Sequence, residues 1–302
     1  MEILNDIHLI KCPFMTSPWF TTVVAVMNDT VALVDTGTPG SPQDAIFPFL
    51  RNARRNIEDI SQIVISHGHY DHCGGVHSIK RISGAKVIIH SADKGLIEDP
   101  YLMKRSLLAR FPNLSFDGII SDEEPPFEPI FAGKVVQDGE RLRLSNYEFE
   151  VLHIPGHSAG TICLAEKKIG LYIVGDGVQG RGERRPLIFH GATDYIESLE
   201  RLKNEHVNYL ILGHPFPPFG EAVLQDDRAR TYIDESLLAI EELASKVLGI
   251  LSKENRRLTI REIRRGIPMY SEISIGCILE KLSMEGKVRE TRQNGDLFWN
   301  LV

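Results

Sequence analysis

The stretch Ser66-His67-Gly68-His69-Tyr70-Asp71-His72 constrains this chain more than any other. It runs straight out of the apolar residues Ile63-Val64-Ile65. Three histidines and an aspartate in so short a span do not suit a purely structural role, because buried polar groups without partners are costly. Imidazole and carboxylate are good ligands for a divalent metal such as zinc, iron or manganese. A helical zinc motif would space its histidines at i and i+4. In an extended loop, positions i, i+2 and i+4 share a side, which groups His67, His69 and Asp71 and sends His72 the other way. The spacing predicts a loop after a strand, with ligands enough to begin two metal sites. Cys73, next along, reads as a small buried residue rather than a ligand.

The same pattern recurs down the chain: a short apolar strand, a glycine or proline turn, and a candidate ligand at the exit. Phe149 to Ile154 leads through Pro155-Gly156 to His157; Tyr172 to Val174 leads to Gly175-Asp176; Tyr209 to Leu212 leads to Gly213-His214. One histidine after a strand is usually structural. A sheet edge that collects His67, His69, Asp71, His72, His157, Asp176 and His214 points to metal chemistry. Strand patterns at Ile7–Ile10, Thr21–Met27, Val31–Val34 and Ala85–Ile89 alternate with helical patterns over residues 42–58 and 76–82, which predicts sheets with helices outside. His90 reads as a strand-end hydrogen-bonder. Residues 95–131 break the rhythm and read as a covering segment or as a wall over the metal loop.

The run SHGHYDHCGG resembles the HxHxDH signature of the metallo-β-lactamase-fold hydrolases, and the later ligands follow in that superfamily's order. The resemblance implies an α+β fold, a four-layer αβ/βα sandwich. It assigns His67, His69 and His157 to one metal, Asp71, His72 and His214 to a second, and Asp176 to a bridge between them. It also implies that Asp35, in Asp35-Thr36-Gly37, supports the metal loop from behind. The bridging aspartate resembles glyoxalase II, lactonases and ribonuclease-type members rather than true β-lactamases. After His214 the superfamily often has glycine, where this chain has Pro215. The implied activity is that of a dinuclear metal-dependent hydrolase, in which a hydroxide bridging two divalent metals attacks a small ester, thioester or lactone. Asp71 would be a ligand that also orients the nucleophile or takes a proton. Zinc is the default metal, with iron or manganese as alternatives. The alternative function is a metal-dependent endoribonuclease acting on single-stranded RNA.

The 302-residue length suits a large domain, residues 1–222, and a small one, residues 223–302. In the second part, Ile233 to Leu251 predicts a long amphipathic helix. Thr259 and Ser271 cap two more, and Asn294-Gly295 joins a terminal hairpin. Helix, helix, helix, hairpin resembles a winged helix, of the kind that follows the hydrolase domain in the β-lactamase-like protein 2 family. Such modules hold nucleic acid, form homodimers or pack on a neighbour. Residues 252–302 carry ten Lys and Arg against seven Asp and Glu, within a chain of net charge −7. That excess is mild for phosphate binding, so a role in closing the pocket over a small-molecule substrate is preferred to RNA. Tyr195 is a candidate substrate contact, with packing at a helix start the preferred reading. Arg181, Arg184 and Arg185 read as a solvated loop or an anion contact. No apolar run is long enough to span a bilayer. Four scattered cysteines without a CxxC pattern predict reduced thiols and a cytoplasmic protein.

Overall fold

The structure is a computed structural model that describes residues 1–14, 19–112, 114–116 and 127–302. Seven strands form a first sheet in chain order: β1 (Glu2–Leu4), β2 (Ile7–Pro13), β3 (Phe20–Met27), β4 (Val31–Val34), β5 (Ile60–Ile65), β6 (Lys86–His90) and β7 (Lys134–Val136). The pairs from β1 to β4 are antiparallel, and those from β4 to β7 are parallel. Parallel neighbours need crossovers, which supply the helices α1 (Phe47–Asn52), α2 (Tyr70–Cys73), α3 (Val76–Ser83), α4 (Lys94–Glu98) and α5 (Leu102–Arg110). The helix expected over 42–58 is shorter. A π-helical turn at Pro42–Ile46 runs into α1, and Arg54 then takes a left-handed φ of 56°, which stops it.

A second sheet contains β8 (Arg141–Leu144), β9 (Tyr147–His153), β10 (Ile162–Glu166), β11 (Leu171–Gly175), β12 (Tyr209–Leu212) and β13 (Val223–Gln225), with α6 (Ala192–Lys203) between β11 and β12. β13 is its edge strand, so the sheet runs past the division expected at residue 222. Then follow α7 (Asp226–Glu254), α8 (Ile260–Gly266), α9 (Glu272–Met284) and the hairpin β14 (Val288–Gln293) and β15 (Asp296–Leu301). Asn294 and Gly295 both have positive φ, as a tight hairpin turn requires.

Alternation along the strands sorts the apolar side chains into three cores. Val24, Val26, Val64 and Ile88 of the first sheet meet Leu142, Phe149, Val151, Leu164 and Ile173 of the second. The outer face of the first sheet packs Ile63, Ile65, Val87 and Ile89 on Leu50, Val76 and Ile79 of its helices. The outer face of the second packs Leu152, Tyr172 and Leu210 on α6 and α7. Two sheets face to face with helices on both outer surfaces make the four-layer sandwich.

The outer core of the second sheet continues without a break into α8, α9 and Trp299. Every residue of α9 from Glu272 to Leu279 is buried. Gly276 lets the helix lie on Phe111: a Cβ there would come within 3.0 Å of the Phe111 ring. The Ser274 hydroxyl accepts from Ile188 N at 3.1 Å, and Glu272 accepts from Ser115 N at 2.7 Å. Three of the basic residues that precede α9 have acidic neighbours. Arg256 pairs with Glu262 at 2.9 Å, and Arg261 and Arg264 stand 3.7 and 3.8 Å from Glu272. All four cysteines are buried and unpaired. Among the described residues, no helix is long and apolar enough to cross a membrane.

Candidate metal centre

The ends of β5, β9, β11 and β12 open on one edge, and the seven side chains gather there. Within the span 67–72 the backbone is extended only as far as His69, with φ −82° and ψ 149°. Tyr70–Cys73 then forms one helical turn, so Asp71 and His72 ride on a helix and the expected alternation stops at His69. The turn is pinned from outside, because both the amide and the hydroxyl of Thr36 donate to His72 O, at 2.8 and 3.0 Å. His72 therefore turns inward. Three groups of ligand atoms come close enough to share an ion: His67, His69 and His157; His67, His72 and Asp176; Asp71, His72 and His214.

The outward nitrogens explain the inward ones. His157 Nδ1 donates to Leu187 O and His214 Nδ1 to Phe20 O, each at 2.9 Å. His72 Nδ1 lies 2.8 Å from Asp35 Oδ2. The Ser66 hydroxyl donates to that same oxygen, so its lone pair accepts from His67 Nδ1 at 3.1 Å. With each Nδ1 so engaged, each Nε2 faces the centre. His67, His69 and His157 Nε2 and Asp176 Oδ1 are buried without a hydrogen-bond partner in the chain. Buried polar atoms are rarely left so.

Asp176 turns one oxygen to each side: Oδ1 is 3.5 Å from His72 Nε2 and 3.6 Å from His214 Nε2, and Oδ2 is 3.6 Å from His157 Nε2. Asp71 Oδ2 is 3.1 Å from His214 Nε2. Gly213 permits this approach, since a Cβ there would fall 2.2 Å from Asp176 Oδ1. Pro215 does not disturb the seat of His214, whose ring stacks on Phe216 at 4.8 Å.

Electrostatics mark the spot as a trap for positive charge. Burial, reinforced by the neighbouring imidazoles, holds His67 well below its usual value and His69 down at about 3. Burial likewise lowers His157. Burial alone would lower His72 too, but Asp71, Asp35 and Asp176 outweigh it and raise that histidine well above the ordinary range. Burial would raise Asp71 and Asp176. His72 and His214 instead hold Asp71 at about 2, and His214 and His72 hold Asp176 well below a normal carboxylate. His72 and His214 Nε2 stand only 3.2 Å apart, and two imidazole nitrogens that close need a cation or a proton between them. Imidazole nitrogens and carboxylate oxygens that are buried, convergent and short of partners fit a divalent metal.

Three supporting residues were not singled out in the sequence. Asp93, fully buried, accepts from Gly68 N at 2.8 Å, from Ser158 Oγ at 2.6 Å and from Gly160 N at 2.6 Å. It thus ties the His67–His69 loop to the His157 loop. Its signal was a carboxylate just past the exit of β6, the same strand-then-ligand pattern. Ser66 links Asp35 to His67. The Gln179 amide donates to Asp176 O and accepts from Leu187 N. Asp35 itself accepts from Ser66 N, Ser66 Oγ and His72 Nδ1. His90 accepts from Ala92 N as a strand-end hydrogen-bonder and also stacks on His153 at 4.0 Å. Cys73 points its thiol toward Gly68 O and joins none of the metal-sized groups.

Tyr195 is fully buried in α6 against Gly156 rather than at a surface. Arg181 pairs with Glu235, and Arg184 stays in the loop. Arg185 is buried, its guanidinium 3.6 Å from the Phe216 ring centroid. A cleft of about 560 Å³ opens beside His69. It runs between α5 and α9, over Phe189 and the start of α6. The α5 part of the 95–131 segment is thus a wall, whereas Asn113 and residues 117–126 lie outside the described residues.

The family model for the metallo-beta-lactamase superfamily matches residues 17–214. The chain belongs to the metallo-beta-lactamase superfamily. With its buried histidine–aspartate groups, that membership makes it a metal-dependent hydrolase in the general sense. It is similar to an uncharacterized protein of Aquifex aeolicus, 30% identical over 194 residues, 63% of this chain and 81% of that one. It is 27% identical to the acyl-coenzyme A thioesterase MBLAC2 of Gallus gallus, over 46% of this chain. The matched region spans about half of that thioesterase, 49% of its length. It is also 27% identical to the hydroxyacylglutathione hydrolase GloC of Haemophilus influenzae, over 61% of this chain and 79% of that enzyme. In fold it resembles a metallo-beta-lactamase family protein from Thermus thermophilus, at a TM-score of 0.76 and 20% identity, with both chains covered in full.

Proposed function

We propose that the chain hydrolyses a small ester, thioester or lactone at a pair of divalent metal ions. His67, His69 and His157 would hold one ion, Asp71, His72 and His214 the other, with Asp176 between them. The observation that carries this reading is the set of inward Nε2 atoms of His67, His72, His157 and His214, each with its Nδ1 held from outside, beside the buried, unpartnered Nε2 of His69. Such bound ions supply a water that is deprotonated near neutral pH and a Lewis acid for the substrate oxygen. Zinc suits the donors best, and iron or manganese suit the same set. The chain's own residues do the rest. Asp35 and Asp93 keep the ligand loops rigid. Asp71, 3.1 Å from His214 Nε2, would orient the attacking water or take a proton. The cleft beside His69 receives the substrate.

The residue 223–302 segment we read as a wall of that cleft, not as a nucleic-acid reader. In a winged helix the second helix of the helix-turn-helix pair would lie in a groove of the duplex. Here α9 is buried through Leu279, and Arg256, Arg261 and Arg264 have carboxylate neighbours. The test is a hydrolysis screen of protein loaded with zinc, manganese or iron, against thioesters, carboxylic esters, lactones and single-stranded RNA, with metal content measured alongside. Hydrolysis of an ester or thioester that is lost in His157→Ala is the expected result. Cleavage of RNA alone would overturn the reading.

A further inference from the structure

We infer that the cleft between α5 and α9 is a subsite for an apolar, uncharged chain of the substrate. This rests on the ester or thioester reading and adds to it which molecules fit. The cleft begins at His69, which is 7% exposed, and ends at Met284, which is 74% exposed. It is therefore a passage from the buried centre to the surface. Leu102, Met103 and Leu107 line one side, Phe189 and Ala192 the floor, and Met284 the mouth. Phe189 packs edge-on against both His69 and His157, at 4.8 and 5.4 Å, so the apolar floor reaches the ligands themselves.

The lining's one guanidinium is already paired, and a carboxylate is left over. Arg110 is the only Lys or Arg among the described lining residues. Its Nε donates to Glu280 Oε1 at 2.9 Å, a second guanidinium nitrogen reaches Glu280 Oε2, and Nη1 donates to the carbonyls of Phe189 and His190. Asp194 stands 3.6 Å from His190. Among the described lining residues no guanidinium or ammonium is thus left over to receive a carboxylate or phosphate, and Asp194 and Glu280 would repel one. The Arg110 guanidinium also fastens α5, α9 and the floor to one another, so the passage has a fixed width. A passage that is largely apolar, without a free cation and open at its far end suits an unbranched alkyl chain extending outward from the scissile carbonyl.

An apolar chain can belong to the acyl group or to the leaving group, and two substrate series separate these. One holds the leaving group constant and lengthens the acyl chain from acetyl to decanoyl. The other holds acetyl constant and lengthens the alcohol or thiol. In one of the two series kcat/KM should rise about fourfold per added methylene, then level off once the chain passes Met284. An acyl chain ending in a carboxylate should fall at least tenfold below its uncharged counterpart of equal length. Met103→Trp, which narrows the passage, and Met284→Asp, which charges its mouth, should each lower the long-to-short ratio. A flat response in both series, or a preference for the carboxylate-ended chain, would overturn the inference while leaving the hydrolase reading intact. Calorimetry with n-octanol, which needs no turnover, decides the case in which no ester is cleaved: octanol should bind the protein and fail to bind Met103→Trp. Equal binding to both would sink the subsite.

Discussion

The two walls of the reaction chamber are built on different principles. The ligand wall stands at strand ends, and each of its loops is fixed from behind by hydrogen bonds. Asp35 and Asp93 each accept three. The opposite wall consists of two helices far apart in the chain, α5 and α9, held by side-chain packing and one half-buried ion pair. The difference teaches where precision is needed. Ligand atoms must stay within a few tenths of an ångström of their places, and backbone-to-carboxylate bonds on strand ends provide that. An alkyl chain needs only a surface of suitable width and neutrality, which apolar helices provide. On the proposed function, the first wall would set the chemistry and the second would select the substrate.

If that division holds, the largest effects come from the ligand wall. His157→Ala or Asp176→Asn should lower hydrolysis on the order of a thousandfold, with less metal retained by elemental analysis. Chelation of the unsubstituted protein should do the same, reversibly. Next comes Asp93→Ala. It strands Gly68 N, Gly160 N and Ser158 Oγ without their acceptor, and should cost about 3 kcal/mol or more in a denaturant melt. A variant as stable as the parent would show that the strand-end wall is not held as described. Gly276→Val forces α9 off Phe111 and should cost about 1–3 kcal/mol. It should raise KM for long-chain esters and leave metal content unchanged; loss of metal would show that the two walls are not separable. The smallest effect is expected for Arg256→Ala. That exposed pair with Glu262 should contribute less than about 1 kcal/mol, and its loss should leave turnover unaltered.

The ligand wall was legible in the sequence because its parts are local: an apolar strand, a turn, then histidine or aspartate at the exit. His67, His69, His157, Asp176 and His214 could all be placed at strand ends in that way. The inward direction of His72 could not. Two-residue alternation governs only extended backbone, and the helical turn at Tyr70 is set by Thr36, distant in sequence. Asp93 escaped notice because its meaning lies in three amide and hydroxyl donors from two other loops. The capped helices and the Asn294-Gly295 hairpin were readable from local turn and cap chemistry. That α9 would be buried was not. Its apolar content suits burial anywhere, and its partner Phe111 is far away along the chain. Tyr195 shows the same limit, since a tyrosine at a helix start looks alike whether it faces a ligand or a glycine.

The bonds that Ser274 and Cys277 make to the Ile188–His190 segment bear on how the molecule is assembled during synthesis. The segment they hold is translated 86 residues before Ser274. Phe189, which presses on two of the histidines, therefore waits on the ribosome for a support that emerges later. Nascent chains stalled ahead of residue 272 should capture less divalent metal than released ones, so the hydrolase would gain its reactivity only after α9 has been made.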